Sequence, residues 1–172
     1  MVQSHSFQNL SEQELAMVLE WRNHPLIRKW MNTSERISWD SHFQFVASLK
    51  LDQKRACYLV KEDSRFIGVI QLNNIDTNTV NDFGMYVNPE LLKRGAGMRL
   101  GFYGVQYSFS NLGYHSLSFI AKRENKDALK LWQVFGIKQV GESNGDSVHG
   151  RLLRKDFLTR PQEFKDFRRF NS

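Results

Sequence analysis

One stretch constrains this chain more than any other: Tyr86-Val87-Asn88-Pro89-Glu90-Leu91-Leu92-Lys93-Arg94-Gly95-Ala96-Gly97-Met98. It reads as the end of a strand, a short loop, and two closely spaced glycines opening a helix. Glycine lets the backbone approach a ligand closely and adopt conformations that a Cβ forbids. The first amides of a helix lack intrahelical acceptors and, with the macrodipole behind them, attract phosphate. Lys93, Arg94 and Arg99 add cations at the same end. A tight turn used only for packing would also need glycines, but the flanking cations favour a phosphate site. No Lys-Ser/Thr pair follows the second glycine, so this is not a Walker loop. Leu100 stands where a third glycine would be needed, which argues against the dinucleotide fingerprint.

The chain around this stretch has 172 residues, a length that suggests one domain with a substantial core. Its 41% hydrophobic and 13% aromatic content argues against disorder. Lys and Arg number 24 against 18 Asp and Glu, a formal charge of +6. Such a surplus draws anionic partners (nucleic acid, a nucleotide, a phosphorylated cofactor, anionic lipid), although a solvated basic surface accounts equally for so modest an excess. The single cysteine, Cys57, excludes an intramolecular disulfide and any multi-thiolate metal site, so a reducing, cytoplasmic setting is the default. His5, His115 and His149 share no ligand spacing, and no metal is expected. Polar and acidic residues at 11–14 break the N-terminal stretch, and no run of about 18 apolar residues occurs, so neither a leader nor a membrane span is expected.

No internal repeat, low-complexity block or linker divides the chain. Ser11-Glu12-Gln13-Glu14 fits a capping box, and Leu15, Val18 and Leu19 predict a first helix reaching about residues 24–25. A second helix is expected from near Ser38, with Phe43, Val46, Ala47 and Leu49 toward the core. Residues 55–61 and 65–73 alternate at period two and read as paired strands around a turn at 62–64. A third strand is expected at 80–87, after a polar turn-like segment at 74–78. Next come an aromatic-rich helix at 95–112, a short strand at 115–121 and a helix at 125–135. That last helix carries Ala128, Leu131, Trp132 and Phe135 on one face and is stopped by Gly136. A hairpin at 137–142 and 147–153, turning at Asn144-Gly145, closes an α/β (α+β) domain with a mixed sheet.

Arg94-Gly95-Ala96-Gly97 after a strand, followed by Asn125-x-x-Ala128-x-x-x-Trp132-x-x-x-Gly136, resembles the GNAT superfamily of acetyl-CoA-dependent N-acetyltransferases. The glycine loop is similar to that family's pyrophosphate-binding motif, and the second block to its Asn-x-x-Ala-x-x-x-Tyr helix. Two positions depart: Leu92 stands where many members have Gln or Arg, and Trp132 replaces the usual Tyr. The resemblance implies one domain over residues 1–172, with a tail at 158–172. It also implies a mixed, mostly antiparallel twisted sheet flanked by helices, acetyl-CoA as co-substrate, and no metal. The pyrophosphate would lie on Lys93, Arg94, Gly95, Ala96, Gly97 and Met98. The pantetheine arm would run beside Met85, Tyr86 and Val87 as an added strand would, and Asn125 and Trp132 would also touch the cofactor. A strand amide near Val87 would stabilise the oxyanion. Asn125 as a helix N-cap and Trp132 as a core residue fit the sequence equally well.

Direct attack by a neutral amine needs no covalent enzyme intermediate, and positioning supplies much of the rate. Glu124 is the candidate base for the ammonium; a solvated carboxylate complementing the helix dipole is its alternative role. An indole N–H is too weak an acid to replace the missing tyrosine. Tyr86, Tyr103, water, or departure of an unprotonated thiolate all remain open as its substitute.

A narrower resemblance lies in Leu19-Glu20-Trp21-Arg22-Asn23-His24-Pro25, then Trp30-Met31, Ile37-Ser38 and His42. It is similar to the branch that acetylates UDP-linked 4-amino sugars in pseudaminic acid biosynthesis, which feeds flagellin glycosylation in bacteria. The resemblance implies a substrate cluster of Trp21, Arg22, His24, Arg28 and Trp30. Arg22 and Arg28 would grip the diphosphate with planar forks, and Trp21 or Trp30 would stack on uracil. A solvated basic face with both tryptophans as core anchors explains the same residues. Related branches acetylate ribosomal protein N-termini or polyamines; a polyamine would want an acidic pocket, and this cluster is basic. A module of another class, binding nucleic acid or a protein partner, is suggested by Phe164-Lys165-Asp166-Phe167-Arg168-Arg169-Phe170, which interleaves cations with aromatics. A tail docking on its own domain is the better reading of that stretch. The expected partner is therefore a UDP-amino-sugar, with no nucleic acid and no membrane, and a homodimer left open.

Overall fold

In the computed structural model, residues 1–142 and 145–159 are described; the expected turn residue Asn144 and the aromatic-basic tail motif lie outside them. Seven strands form one sheet: β1 (Val2–Ser6), β2 (Arg55–Glu62), β3 (Arg65–Asp76), β4 (Thr79–Val87), β5 (Ser116–Lys122), β6 (Lys138–Glu142) and β7 (Ser147–Leu153). Their order is β1-β2-β3-β4-β5-β7-β6, and every neighbouring pair is antiparallel except β4 with β5. The β2–β3 turn is tight because Asp63 takes a left-handed φ of 53°, a conformation Asp tolerates better than most residues.

Helices cover both faces: α1 (Glu12–Asn23), the short α2 (Pro25–Arg28), α3 (Trp39–Ser48), α4 (Ala96–Ser110), α5 (Lys126–Phe135) and α6 (Arg154–Leu158). The α1 capping box is formed, with the Ser11 hydroxyl accepting from the Glu14 amide and the Glu14 carboxylate accepting from the Ser11 amide at 2.8 Å. The Ser11 amide and the Ser11 hydroxyl both donate to that carboxylate at 2.8 Å and hold it below its ordinary value. Such a cap is worth ~1 kcal/mol. Leu15, Val18 and Trp21 of α1 and Val46 of α3 pack on Cys57, Leu59, Val69 and Tyr86 of the sheet. On the opposite face, Leu100, Val105 and Phe109 of α4 and Trp132 and Phe135 of α5 pack on Ile70, Leu72, Val87 and Phe119. Alternate strand residues thus feed two separate cores. α4 lies unusually close to β3 and β4: a Cβ on Gly104 would come within 2.9 Å of Ile70 and Phe83.

The mixed, mostly antiparallel sheet flanked by helices is the architecture expected from the sequence. Three elements were not expected: β1, α2 and α6. β1 is a short polar edge strand, held by backbone bonding to β2 that its side chains do not advertise. The polar segment at 74–78 is not all turn. β3 runs on to Asp76, with only Asn74 stepping into the left-handed region at φ 51°. On α3, Phe43 is exposed and His42 is buried in its place.

Candidate active site

β4 and β5 pair only at Thr79 with Ser116 and at Val80 with Leu117. Beyond those two pairs they part, while β4 stays bonded to β3 and β5 to β7 along their lengths. The gap is a cleft of about 810 Å³. Its β4 wall is a strand edge whose outward N–H and C=O groups have no strand partner. Both faces of β4 contribute: Phe83, Met85 and Val87 point toward α4, and Asp82, Gly84 and Tyr86 toward α1 and α3.

At one end of the cleft lies the glycine loop. Lys93 and Gly95 are both left-handed, at φ 62° and 73°. Gly95 is the N-cap of α4 and offers no side-chain cap. The Arg94 amide donates to Leu91 O at 3.2 Å, and the Met98 and Arg99 amides donate to Gly95 O. At the start of α4, the amides of Gly95, Ala96 and Gly97 have no acceptor among the described residues. This is a concave donor set at a helix start, suited to a phosphate. Lys93 lines the cleft beside it. Arg99 does not face it freely: its Nε donates to Glu62 at 2.9 Å and its guanidinium also reaches Arg94 O.

At the other side, α2 and the segment after it supply Ile27, Lys29, Trp30, Met31 and Asn32, opposite Gln71, Asn73 and Asp82 of the sheet. The Lys29 ammonium lies 4.8 Å from the Trp30 ring. Lys122 of β5 donates to Lys29 O at 2.8 Å, tying the two sides of the cleft together. Asp82 accepts from Asn73 Nδ2 at 3.4 Å and has no cation within ion-pair distance among the described residues. Burial raises its carboxyl pKa, opposed by the Asn73 bond and the charge of His149.

Residues 15–137 match the Acetyltransferase (GNAT) family, well over half the chain. This chain is a GNAT acetyltransferase. It is 35% identical over 133 residues to Acetyltransferase PseH of Campylobacter jejuni, covering 77% of this chain and 82% of that protein. The crystal structure of Campylobacter jejuni PseH in complex with acetyl coenzyme A matches with a TM-score of 0.74 at 27% identity, over 89% of this chain and 99% of that one. A Vibrio cholerae spermidine N-acetyltransferase shares the fold at a TM-score of 0.79 and 20% identity, over 91% and 98% of the two chains. As a GNAT enzyme the chain is an acetyl-CoA-dependent N-acetyltransferase. The three unbonded amides and the unpaired β4 edge suit the coenzyme's diphosphate and its amide-bearing arm.

Of the expected cofactor residues of this GNAT chain, Met85, Tyr86, Val87 and Lys93 line the cleft, as do Gly95, Gly97 and Met98. Ala96 is fully buried and offers its amide alone, and Arg94 is exposed outside the cleft wall. Asn125 lines the cleft and also caps α5, its side chain accepting from the Ala128 amide at 3.1 Å. Trp132 lines the cleft while packing on Phe119 and against Gly150. Glu124 is exposed and does not line the cleft.

Among the expected substrate residues only Trp30 lines the cleft. Trp21 is 8% exposed in the α1 core, which leaves no face for a base. Arg22 is half-buried and donates to Thr33 O at 2.9 Å, pinning the loop before α3; burial lowers its pKa. His24 accepts from the Leu26 amide and caps α2, and Arg28 stands outside the cleft. Tyr103 stacks on Tyr107 away from the cleft, so it is not placed to serve as the acid. Tyr86 does line the cleft, but full burial raises its pKa and holds its proton. Cys57 is buried outside the cleft with its thiol pushed up to about 12, which suits no acyl-enzyme. Among the described residues no group of His, Cys, Asp or Glu is placed to hold a metal ion, and no helix is long and apolar enough to cross a membrane. A cleft-lining acid that the sequence reading did not single out is Asp82. It sits in phase with Tyr86 and Gly84 on the strand, and an unpaired acid at that phase was the available signal.

Proposed function

We propose that this enzyme transfers acetyl from acetyl-CoA to the 4-amino group of a UDP-linked 4-amino-4,6-dideoxy-N-acetyl sugar, a step of pseudaminic acid biosynthesis. The observation that carries this reading is the 35% identity to Acetyltransferase PseH over 77% of the chain. The acceptor side of the cleft supports it: Lys29 lines it and meets an anionic diphosphate, with the Lys122 ammonium bonded to its carbonyl oxygen, and Trp30 offers a ring to the uracil. The same cations repel a polyamine, although the chain is 24% identical to a spermidine N(1)-acetyltransferase of Escherichia coli over 62% of its length. Both co-substrates belong to the cytoplasm, and we place the enzyme there.

Acetyl-CoA supplies a thioester ready for attack. The amides of Gly95, Ala96 and Gly97, with Lys93, hold the diphosphate. The free edge of β4 takes the amide-bearing arm as an added strand, and a β4 amide near Val87 donates to the developing oxyanion. Losing one such donor commonly costs ~10²–10³ in rate. The amine attacks directly within a ternary complex, because among the described residues the cleft holds no activated nucleophile of the protein's own. Thiol release with the UDP-4-amino sugar, spermidine and ribosomal protein N-terminal peptides in parallel tests the reading. Turnover with the sugar is expected; turnover with spermidine or a peptide alone refutes it.

A further inference from the structure

Arg99 was expected among the cations that meet phosphate at the glycine loop, but its guanidinium is bonded elsewhere. Nε donates to the Glu62 carboxylate at the end of β2 at 2.9 Å, and Nη1 donates to Arg94 O at 3.3 Å. With 23% and 26% of the two side chains exposed, the Arg99–Glu62 pair is shielded from much of the solvent that weakens surface ion pairs. Glu62 is paired across the sheet to Val2 of β1 and Arg65 of β3, so it anchors Arg99 to a strand bonded on both sides. Arg94 O is one end of a planar peptide whose other end is the Gly95 N–H. In a trans peptide these two groups point in opposite directions, so a bond that fixes the carbonyl aims the amide. The Gly95 amide is one of those without an acceptor at the start of α4, and Gly95 lines the cleft. A cation on the carbonyl also polarises the peptide and strengthens its N–H as a donor.

We propose that Arg99 is a positioning residue for the coenzyme: held by Glu62, it braces the Arg94–Gly95 peptide so that the Gly95 N–H meets the diphosphate. This rests on the reading above that the loop amides hold that diphosphate. Arg94 contributes through its backbone, with its N–H on Leu91 O and its C=O under Arg99, while its side chain is exposed. The residues on either side of it, Lys93 and Gly95, are both left-handed. Such a bend is one the chain does not favour unaided, and it needs fixing from outside. The rival role for the same guanidinium is a phosphate ligand that leaves Glu62 when the coenzyme arrives. The two roles give opposite signs when Glu62 is removed. A freed ligand would bind the diphosphate more tightly; a freed brace lets the peptide turn, and binding weakens.

Titration calorimetry of the full chain with acetyl-CoA, and displacement of acetyl-CoA by ADP, test the brace without any acceptor. Glu62→Ala and Glu62→Gln remove the same charge, but only glutamine keeps an oxygen for Arg99 Nε. Glu62→Gln should stay within about threefold of wild type, and Glu62→Ala should bind acetyl-CoA about tenfold more weakly than Glu62→Gln. Arg99→Lys keeps the cation and loses the fork, so it should weaken binding by about tenfold, as Arg99→Gln does. ADP carries the diphosphate without the arm and should lose the same factor across the series. Gly95→Ala, run alongside, checks the loop itself: wild-type affinity there would refute the loop reading, and the brace with it. With Gly95→Ala weakened, a Glu62→Ala enzyme that binds as tightly as Glu62→Gln, or more tightly, overturns the brace. So does an Arg99→Lys enzyme of wild-type affinity, or a loss seen with acetyl-CoA and absent with ADP.

Discussion

Gly95 joins the end of the phosphate loop to α4 at φ 73°, and Gly95→Ala separates loop shape from ligand contact. An L-residue in that region costs ~1–2 kcal/mol. Space is not the obstacle, since the nearest atom to the new Cβ is the flexible Arg99 Nη1 at 3.3 Å. The loop is exposed, and the Arg94 amide bond to Leu91 O is one of its few anchors. Alanine should therefore relax the bend in the free enzyme and restore it only when the diphosphate is bound. Stability should change little, because the relaxed loop sheds the strain that alanine would otherwise carry at this φ. Affinity makes no reference to the unfolded chain and should lose the whole ~1–2 kcal/mol, about 5–30-fold in Kd for acetyl-CoA. Urea unfolding and titration calorimetry read the two quantities separately. Gly113→Ala is the comparison, because Gly113 has φ 79°, open space around it and no place in the cleft. A Gly95→Ala enzyme that gains stability and keeps its affinity would show that the bend plays no part in holding the coenzyme.

Cys57→Ala should leave turnover within about twofold of wild type under direct attack, as steady-state rates will show; loss of all activity would revive a thiol intermediate. Trp21→Ala should cost ~3–5 kcal/mol of stability in denaturant unfolding. Trp21→Phe should leave KM for the nucleotide sugar unchanged, and a marked rise would return this residue to the substrate. His42 is buried beside Phe7 and Trp39 with Nε2 unpartnered, and burial lowers its pKa from 6.5. The unfolded chain then binds the proton more readily, so stability should fall as pH drops below 6.5. His42→Phe should remove that part of the acid sensitivity in melts run across pH.

Periodicity revealed the long elements well, because α4 and α5 place apolar residues at helical spacing and β2 and β3 alternate cleanly. It could not reveal β1, whose hold on β2 is made by backbone groups that every residue shares. The left-handed bend and free amides of the glycine loop were legible because glycines and cations there are a local signal, four residues long. The acceptor side was not. Trp21, Arg22 and His24 sit together in the chain, but the helical turn sends Trp21 into the core, ties Arg22 to Thr33 and makes His24 a cap. Asp82 needed the parting of β4 from β5 to become a wall of the cleft, and a pairing that stops after two residue pairs leaves no mark in composition or spacing.

That parting has a kinetic consequence. Because cleft residues come from both faces of β4, the opening passes through the sheet rather than into one side of it. On the proposed function, the coenzyme would reach the edge from the α4 side and the acceptor from the side of α1 and α3. With a separate doorway for each, neither co-substrate blocks the other's route, and each product can leave the way its parent came. Binding in either order follows, with intersecting double-reciprocal plots and no pattern of alternating half-reactions.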